Sequence, residues 1–133
     1  MTTLRRSSLV LSAAALAAVT LASCDKPIDA PTNVGVCYHL AAFSKDGKSA
    51  KFNEVARNRP NLESCAAALE GMRIRFLSLG GSQLDVIGAY QGNFLFLNQY
   101  GVFTSQTLTS ARYPALVRTG DGRLAVPGSV QAQ

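Results

Sequence analysis

Apolar and polar residues alternate along segment 34–43, as they do in a half-buried strand. Cys37 and His39 fall on one face of this predicted strand, and the larger apolar side chains fall on the other. An Asp-Gly pair follows at residues 46–47 and is typical of a tight hairpin turn. We therefore expect residues 50–55 to return as a second strand.

A helical period begins after Asn61, whose side chain can accept from the free amides of a first helical turn. Arg73 lies about 20° from the first apolar residue of the stripe, where an apolar side chain is expected. Either the helix continues to about residue 79 and Arg73 reaches outward along its aliphatic stem, or the helix ends near Gly71 and residues 72–77 form a strand. We favour the longer helix. Its apolar stripe comprises Leu62, Cys65, Ala66, Leu69, Met72, Phe76 and Leu79.

The last third of the chain has a residue pattern typical of short strands separated by glycine-containing turns. The sequence predicts an α+β fold: a single small domain over residues 34–127, with one main helix packed on an antiparallel sheet of about five or six strands. Residues 128–133 are expected to form a loose tail. The predicted strands of this last part are 86–90, 94–100, 102–108, 115–118 and 123–126.

The N-terminal apolar run differs from these patterns. Arg5 and Arg6 precede an uncharged stretch of 13 residues, 9–21, which is shorter than the roughly 20 residues that a membrane-spanning helix needs. The pattern is typical of a processed export signal. The stretch closes on Leu21-Ala22-Ser23-Cys24, which resembles the lipobox of bacterial lipoproteins.

The resemblance implies that residues 1–23 are a removed signal peptide and that Cys24 is acylated, with palmitate or a similar chain, so that membrane lipid is a partner. It implies a lipid-anchored protein of the bacterial envelope that faces the periplasm. Asp25 favours inner-membrane retention in some bacteria, which leaves the choice between inner and outer membrane open. Segment 24–33 contains two prolines and one large apolar residue. We expect it to be a tether that does not pack against the domain.

Three cysteines occur in the chain, and an odd thiol in an exported protein is a liability. If lipid consumes Cys24, Cys37 and Cys65 can pair, and we predict that disulfide. On the chain-entropy model it would stabilise the fold by about 3.5 kcal/mol. Two separate buried thiols and a copper site are the alternatives, the latter combining Cys37 and His39 with Met72 or Cys65.

Charge and motifs narrow the function classes. Removal of the signal lowers the formal charge from +5 to +3, and the basic residues are scattered, so we do not expect a nucleic-acid partner. His39 is the single histidine. No nucleophile elbow, zinc-protease pair or phosphate loop occurs in the sequence, so we expect no enzyme, metal or other cofactor.

Segment 89–107 interleaves aromatic residues with amides and hydroxyls. Such a pattern is first of all typical of a core, and secondly of a binding surface. Our leading hypothesis is a membrane-anchored lipoprotein with a non-catalytic binding or assembly role and an envelope protein as partner. The alternatives are a ligand-binding or enzyme-inhibitor module of the periplasm and a copper carrier.

Overall fold

The computed structural model describes residues 24–129. The predicted signal peptide, 1–23, and the last four residues of the predicted tail lie outside the described residues. A single helix packs on a seven-stranded antiparallel sheet whose strand order is β2-β1-β3-β4-β5-β6-β7. The predicted α+β class is confirmed, with more strands than expected. The elements are β1 (Cys37–Phe43), β2 (Ala50–Ala56), α1 (Leu62–Ser78), β3 (Val86–Tyr90), β4 (Asn93–Asn98), β5 (Gly101–Ser105), β6 (Tyr113–Arg118) and β7 (Leu124–Ala125).

The first hairpin forms at the Asp-Gly pair, as predicted. Asp46 Oδ1 accepts hydrogen bonds from the Ser44 hydroxyl at 2.5 Å and from the Lys48 amide at 3.0 Å. Gly47 adopts a φ of 70°, a left-handed conformation that glycine tolerates without steric cost. The turn connects β1 to its antiparallel partner β2, which forms one edge of the sheet.

The longer helix is confirmed, but the expectation that Arg73 reaches outward is wrong, because its side chain is only 11% exposed and pairs with Glu70. Asn61 Oδ1 accepts from the Ser64 amide at 2.9 Å, and the Ser64 hydroxyl accepts from the Asn61 amide, so that a capping box starts the helix. The helix ends before Gly80, whose φ is 91°. In the middle of the helix, Leu69 fits against Gly88 of β3, where a Cβ would come within 2.8 Å of the Tyr38 carbonyl oxygen. Glycine therefore permits the close approach of helix and sheet.

The predicted apolar stripe of α1 covers the sheet over only part of its length. Phe76 is 49% exposed and Leu79, which caps the helix, is 87% exposed. The reason is that β3 begins only at Val86, so the last turns of α1 extend beyond the centre of the sheet. The expectation that these two residues complete the buried stripe is wrong.

Two strand boundaries also differ from prediction. The strand expected over 94–100 ends at Asn98, because its Oδ1 accepts from the amides of Tyr100 and Gly101 and turns the chain. The strand expected over 102–108 ends at Ser105. Residues 106–112 instead form a loop that contributes Leu108 to the core.

The sheet is covered on both faces. On the helix face, the core is a cluster around Cys37, Cys65, Leu69, Leu95, Leu97 and Val102. On the opposite face, the core contains Leu40, Ala89, Phe94 and Phe96. Because alternate residues of a strand point to opposite faces, a continuous apolar run such as β4 serves both clusters.

Segment 24–33 covers part of the opposite face. Ile28 packs against the aromatic cluster, and Ala30 is only 6% exposed. The carbonyl oxygen of Pro31 accepts a hydrogen bond of 2.8 Å from the amide of Gly92. The expectation that this segment carries too little apolar surface to pack against the domain is therefore wrong. Ile28, Ala30 and the Pro31 carbonyl oxygen all attach the segment to the sheet.

Candidate functional site

The structure joins two of the three predicted site residues. Cys37, at the start of β1, and Cys65, in the first turn of α1, form a disulfide with a Cα–Cα distance of 5.3 Å, and neither is exposed to solvent. Cys65 and Leu69 are four residues apart in α1 and therefore share the face that meets the sheet. Cys37 points to that face even though the larger side chains of β1 point away from it. This arrangement is possible because both faces of the sheet are buried.

Cys24 is the remaining cysteine of the three and is exposed. Its neighbour Asp25 pairs with Lys48 of the β1–β2 hairpin, with an Oδ1–Nζ distance of 2.9 Å. Lys26 and Asp29 form a longer pair at 3.9 Å. Both pairs are well exposed to water, so each contributes little to stability. Together with the packing of Ile28, they place Cys24 beside the tip of the first hairpin.

We define the anchor end of the domain as the end of the sheet at which β1 and β4 finish and β3 begins. The antiparallel register puts the tip of the first hairpin, the β4–β5 turn and the β6–β7 turn at this end. The helix also finishes here, since Phe76 shares a cavity with Val86, the first residue of β3. The opposite end carries Val34 and the β3–β4 turn.

A cleft of about 140 Å³ opens at the anchor end between the last turns of α1 and the sheet. Partial burial lowers the pKa of His39, because desolvation disfavours the charged imidazolium. His39 and Met72 both line this cleft, as the copper hypothesis requires. However, Cys37 and Cys65 are bonded to each other and supply no thiolate. The lining residues are His39, Met72, Arg73, Phe76, Gln83 and Val86.

Beside the cleft, the carboxylate of Glu70 is held by two arginines. Arg73 donates to its two oxygens at 2.9 and 3.0 Å, and Arg118 donates at 2.8 and 3.1 Å. Burial would raise the pKa of Glu70, but these hydrogen bonds and charges outweigh it and lower the pKa to about 2. The same interaction raises the pKa of Arg73. A carboxylate so fully engaged is poorly suited to general acid–base work at neutral pH.

The arginines also fix the surrounding turns. Arg118 donates to the carbonyl oxygens of Asn98 and Gly122, and Arg73 donates to the carbonyl oxygen of Leu84. The cluster therefore links the helix to three turns at the anchor end. Sequence reasoning noticed Arg73 but missed its partners. The available signal was Glu70, one turn earlier in the helix at a spacing that favours an ion pair.

The aromatic residues of segment 89–107 belong mainly to the core. Tyr90, Phe94 and Phe96 are at most 4% exposed, and Phe103 packs against the opposite-face cluster. Tyr100 is the exception, at 70% exposed, because it lies in the β4–β5 turn. The interpretation of this segment as a core sequence is confirmed for four of its five aromatic residues.

In residues 24–129, no group of three or more histidine, cysteine or carboxylate side chains is arranged to hold a metal ion. In the same part of the chain, α1 lacks the length and hydropathy needed to cross a bilayer. Comparison with protein-family models, with curated proteins and with solved structures finds no match for the chain.

Proposed function

We propose that this chain is a lipoprotein of the bacterial envelope, acylated at Cys24, whose domain faces the periplasm and has a non-catalytic binding or assembly role. The observation that carries the proposal is the state of the three cysteines, two bonded and one unpaired. Cys37 and Cys65 are bonded to each other inside the core, and Cys24 is exposed and unpaired at the point where the lipobox-like sequence ends. In an exported protein with this arrangement, one thiol would remain free and reactive, and acylation would consume it.

The energetics of anchoring favour more than one acyl chain. Each buried methylene contributes about 0.8 kcal/mol, so that a single chain gives only marginal binding, whereas two or more chains hold a domain firmly. The proposed site for both lipid attachment and cleavage is Cys24, which is exposed. Asp25 favours inner-membrane retention in some bacteria, and the choice between inner and outer membrane stays open within this proposal.

Acylation is tested by growing cells that express the full chain with labelled palmitate and by measuring the mass of the mature N-terminus. The expected product begins at Cys24 and carries acyl chains. Cys24→Ser should abolish label incorporation and release the protein from the membrane. The matched control is the double variant Cys37→Ser/Cys65→Ser, which should still incorporate label because this readout does not require a folded domain. An unmodified mature Cys24 would refute the proposal.

The binding role rests on a different feature, the open edge of the sheet. β2 is paired with β1 on one side only, and Lys51, Asn53 and Glu54 of this strand are exposed. An edge strand presents free backbone donors and acceptors to which an extended segment of another protein can pair. We propose that an envelope protein partner contacts this edge.

The partner is sought by photo-crosslinking in intact envelopes. A photoreactive residue in place of Asn53 should yield one discrete adduct. The same residue in place of Tyr113, which is 66% exposed on β6, serves as the matched control and should yield none. A failure to obtain a specific adduct at Asn53, together with a pull-down that recovers no specific partner, would contradict the binding role.

A further inference from the structure

Large apolar side chains are exposed unevenly over the surface of the domain. Nine such residues are prominent among the described residues, and six of them lie at the anchor end. Phe43 is at the end of β1, Tyr100 is in the β4–β5 turn, and the others follow the helix towards β3. These six are Phe43, Ile74, Phe76, Leu79, Leu84 and Tyr100, with exposed fractions from 49% to 87%.

The anchor end is also where the lysines are concentrated. The sequence contains four lysines, and all of them lie in segment 24–33 or in the β1–β2 hairpin and its flanks: Lys26, Lys45, Lys48 and Lys51. Lys26 and Lys48 pair with aspartates, whereas no ion pair is formed by Lys45 or Lys51 among the described residues. Lysine can keep its ammonium group among lipid headgroups while its stem covers apolar surface.

Cys24 is held close to this end. Ile28 packs on the sheet four residues later, and a fully extended chain spans about 3.6 Å per residue, so Cys24 stays within about 14 Å of Ile28 even if the Asp25–Lys48 pair breaks. Ile28 and Phe43 line one shallow cavity together with the tip of the hairpin. An acyl chain on Cys24 would therefore bring the anchor end to the bilayer surface, and no free linker remains to lift the domain away.

We propose that the anchor end is a membrane-contact surface, at which Phe43, Leu79, Leu84 and their neighbours enter the boundary between headgroups and acyl chains. The occupant is a phospholipid bilayer. The inference rests on the proposed acylation of Cys24. Apolar side chains together with a tyrosine and lysines are the combination that suits a membrane–water interface, where each amphipathic side chain has an apolar and a polar neighbour. Contact with lipid also explains why so many large apolar side chains remain uncovered.

The test uses the acylated full-length protein reconstituted in phosphatidylethanolamine–phosphatidylglycerol vesicles that carry lipid-borne nitroxide quenchers. A fluorescent label is attached to Leu79→Cys or to the matched control Val34→Cys. The two positions are equally exposed, at 87% and 86%, and lie at opposite ends of the domain. The introduced thiol is the one that labels, because Cys24 is acylated and the other two cysteines are bonded. A second label position, Phe43→Cys, reports on the hairpin independently of the helix.

Labels at Leu79 and Phe43 should be quenched at least about threefold more strongly than the label at Val34. Equal quenching at all three positions of a vesicle-bound protein would overturn the membrane contact while leaving acylation intact. If the Leu79 label is protected from solvent in native envelopes but not in pure lipid vesicles, the membrane contact is also overturned, in favour of a protein occupant. A wild-type protein that does not stay with the vesicles and carries no acyl mass would instead refute the proposed function.

Discussion

The two faces of the sheet are covered in different ways. On the helix face, the 17-residue helix α1 is fixed by a disulfide and by the Glu70 cluster. On the opposite face, two irregular stretches, 24–33 and 106–112, cover an aromatic core with a few side chains, including Arg112, whose guanidinium lies 3.7 Å from the centre of the Phe96 ring. The comparison shows that a buried face does not require regular secondary structure as its cover. It also indicates that the two covers differ in local stability.

Loss of the disulfide should have the largest effect and should fall mainly on the helix face. Replacement of both Cys37 and Cys65 by alanine opens a link that spans 28 positions of sequence. We expect the free energy of unfolding to fall by about 3.5 kcal/mol, measured by urea denaturation. Hydrogen exchange should show greater loss of protection in α1 than at Phe94. An unchanged denaturation midpoint would contradict the prediction, and Cys24→Ala is the control that should leave it unchanged.

The Glu70 cluster should give a smaller, pH-dependent effect on the same face. The pKa of Glu70 is about 2 in the folded protein, below its ordinary value of 4.5. The folded state therefore binds its proton less readily than the unfolded state. The resulting stabilisation is fully present above pH 4.5 and is lost as the pH falls towards 2.

Glu70→Gln removes this charge and should lower the free energy of unfolding at pH 7 by about 1–3 kcal/mol. It should also flatten the dependence of stability on pH between 4.5 and 2, followed by urea denaturation at each pH. Glu63→Gln, at an exposed position of the same helix, should cost less than about 1 kcal/mol. The same dependence of unfolding free energy on pH in the wild type and in Glu70→Gln would contradict the prediction.

The smallest effect is expected on the opposite face, where the cover is thinnest. Ile28→Ala removes most of the apolar side chain that holds segment 24–33 on the sheet, and should cost about 1 kcal/mol of unfolding free energy. Val34→Ala, at a position 86% exposed, should change it by less than about 0.5 kcal/mol. If the two variants are equally stable, the segment does not contribute to the fold.

The same contrast explains what the sequence predicts well. The helix and the cysteine pair can be predicted from the sequence, because the helix has a clear cap at Asn61 and a regular apolar spacing. The hairpins can also be predicted, because the glycine turns at residues 47 and 92 are local signals in the sequence. In each of these elements, residues close together in the sequence determine the local structure, so that it can be predicted without knowledge of tertiary contacts.

The remaining features depend on contacts between distant residues. Glu70 meets Arg118 across 48 positions, and nothing in either local sequence specifies the other. Segment 24–33 has no periodicity, so its packing could be recognised only after the opposite face of the sheet was known to be apolar. The exposed C-terminal end of α1 was missed for a related reason, since the burial of Phe76 depends on where the strands beneath it stop.

The hydrogen bond from Gly92 to Pro31 has a consequence for the order of folding. It joins the beginning of the domain to a hairpin that is synthesised roughly 60 residues later, and such non-local contacts form late in folding. Until that hairpin has formed, the carbonyl oxygen of Pro31 lacks its donor and segment 24–33 has no complete surface to cover. The segment precedes every strand in the sequence, yet we expect it to dock last, after the sheet beneath it is complete.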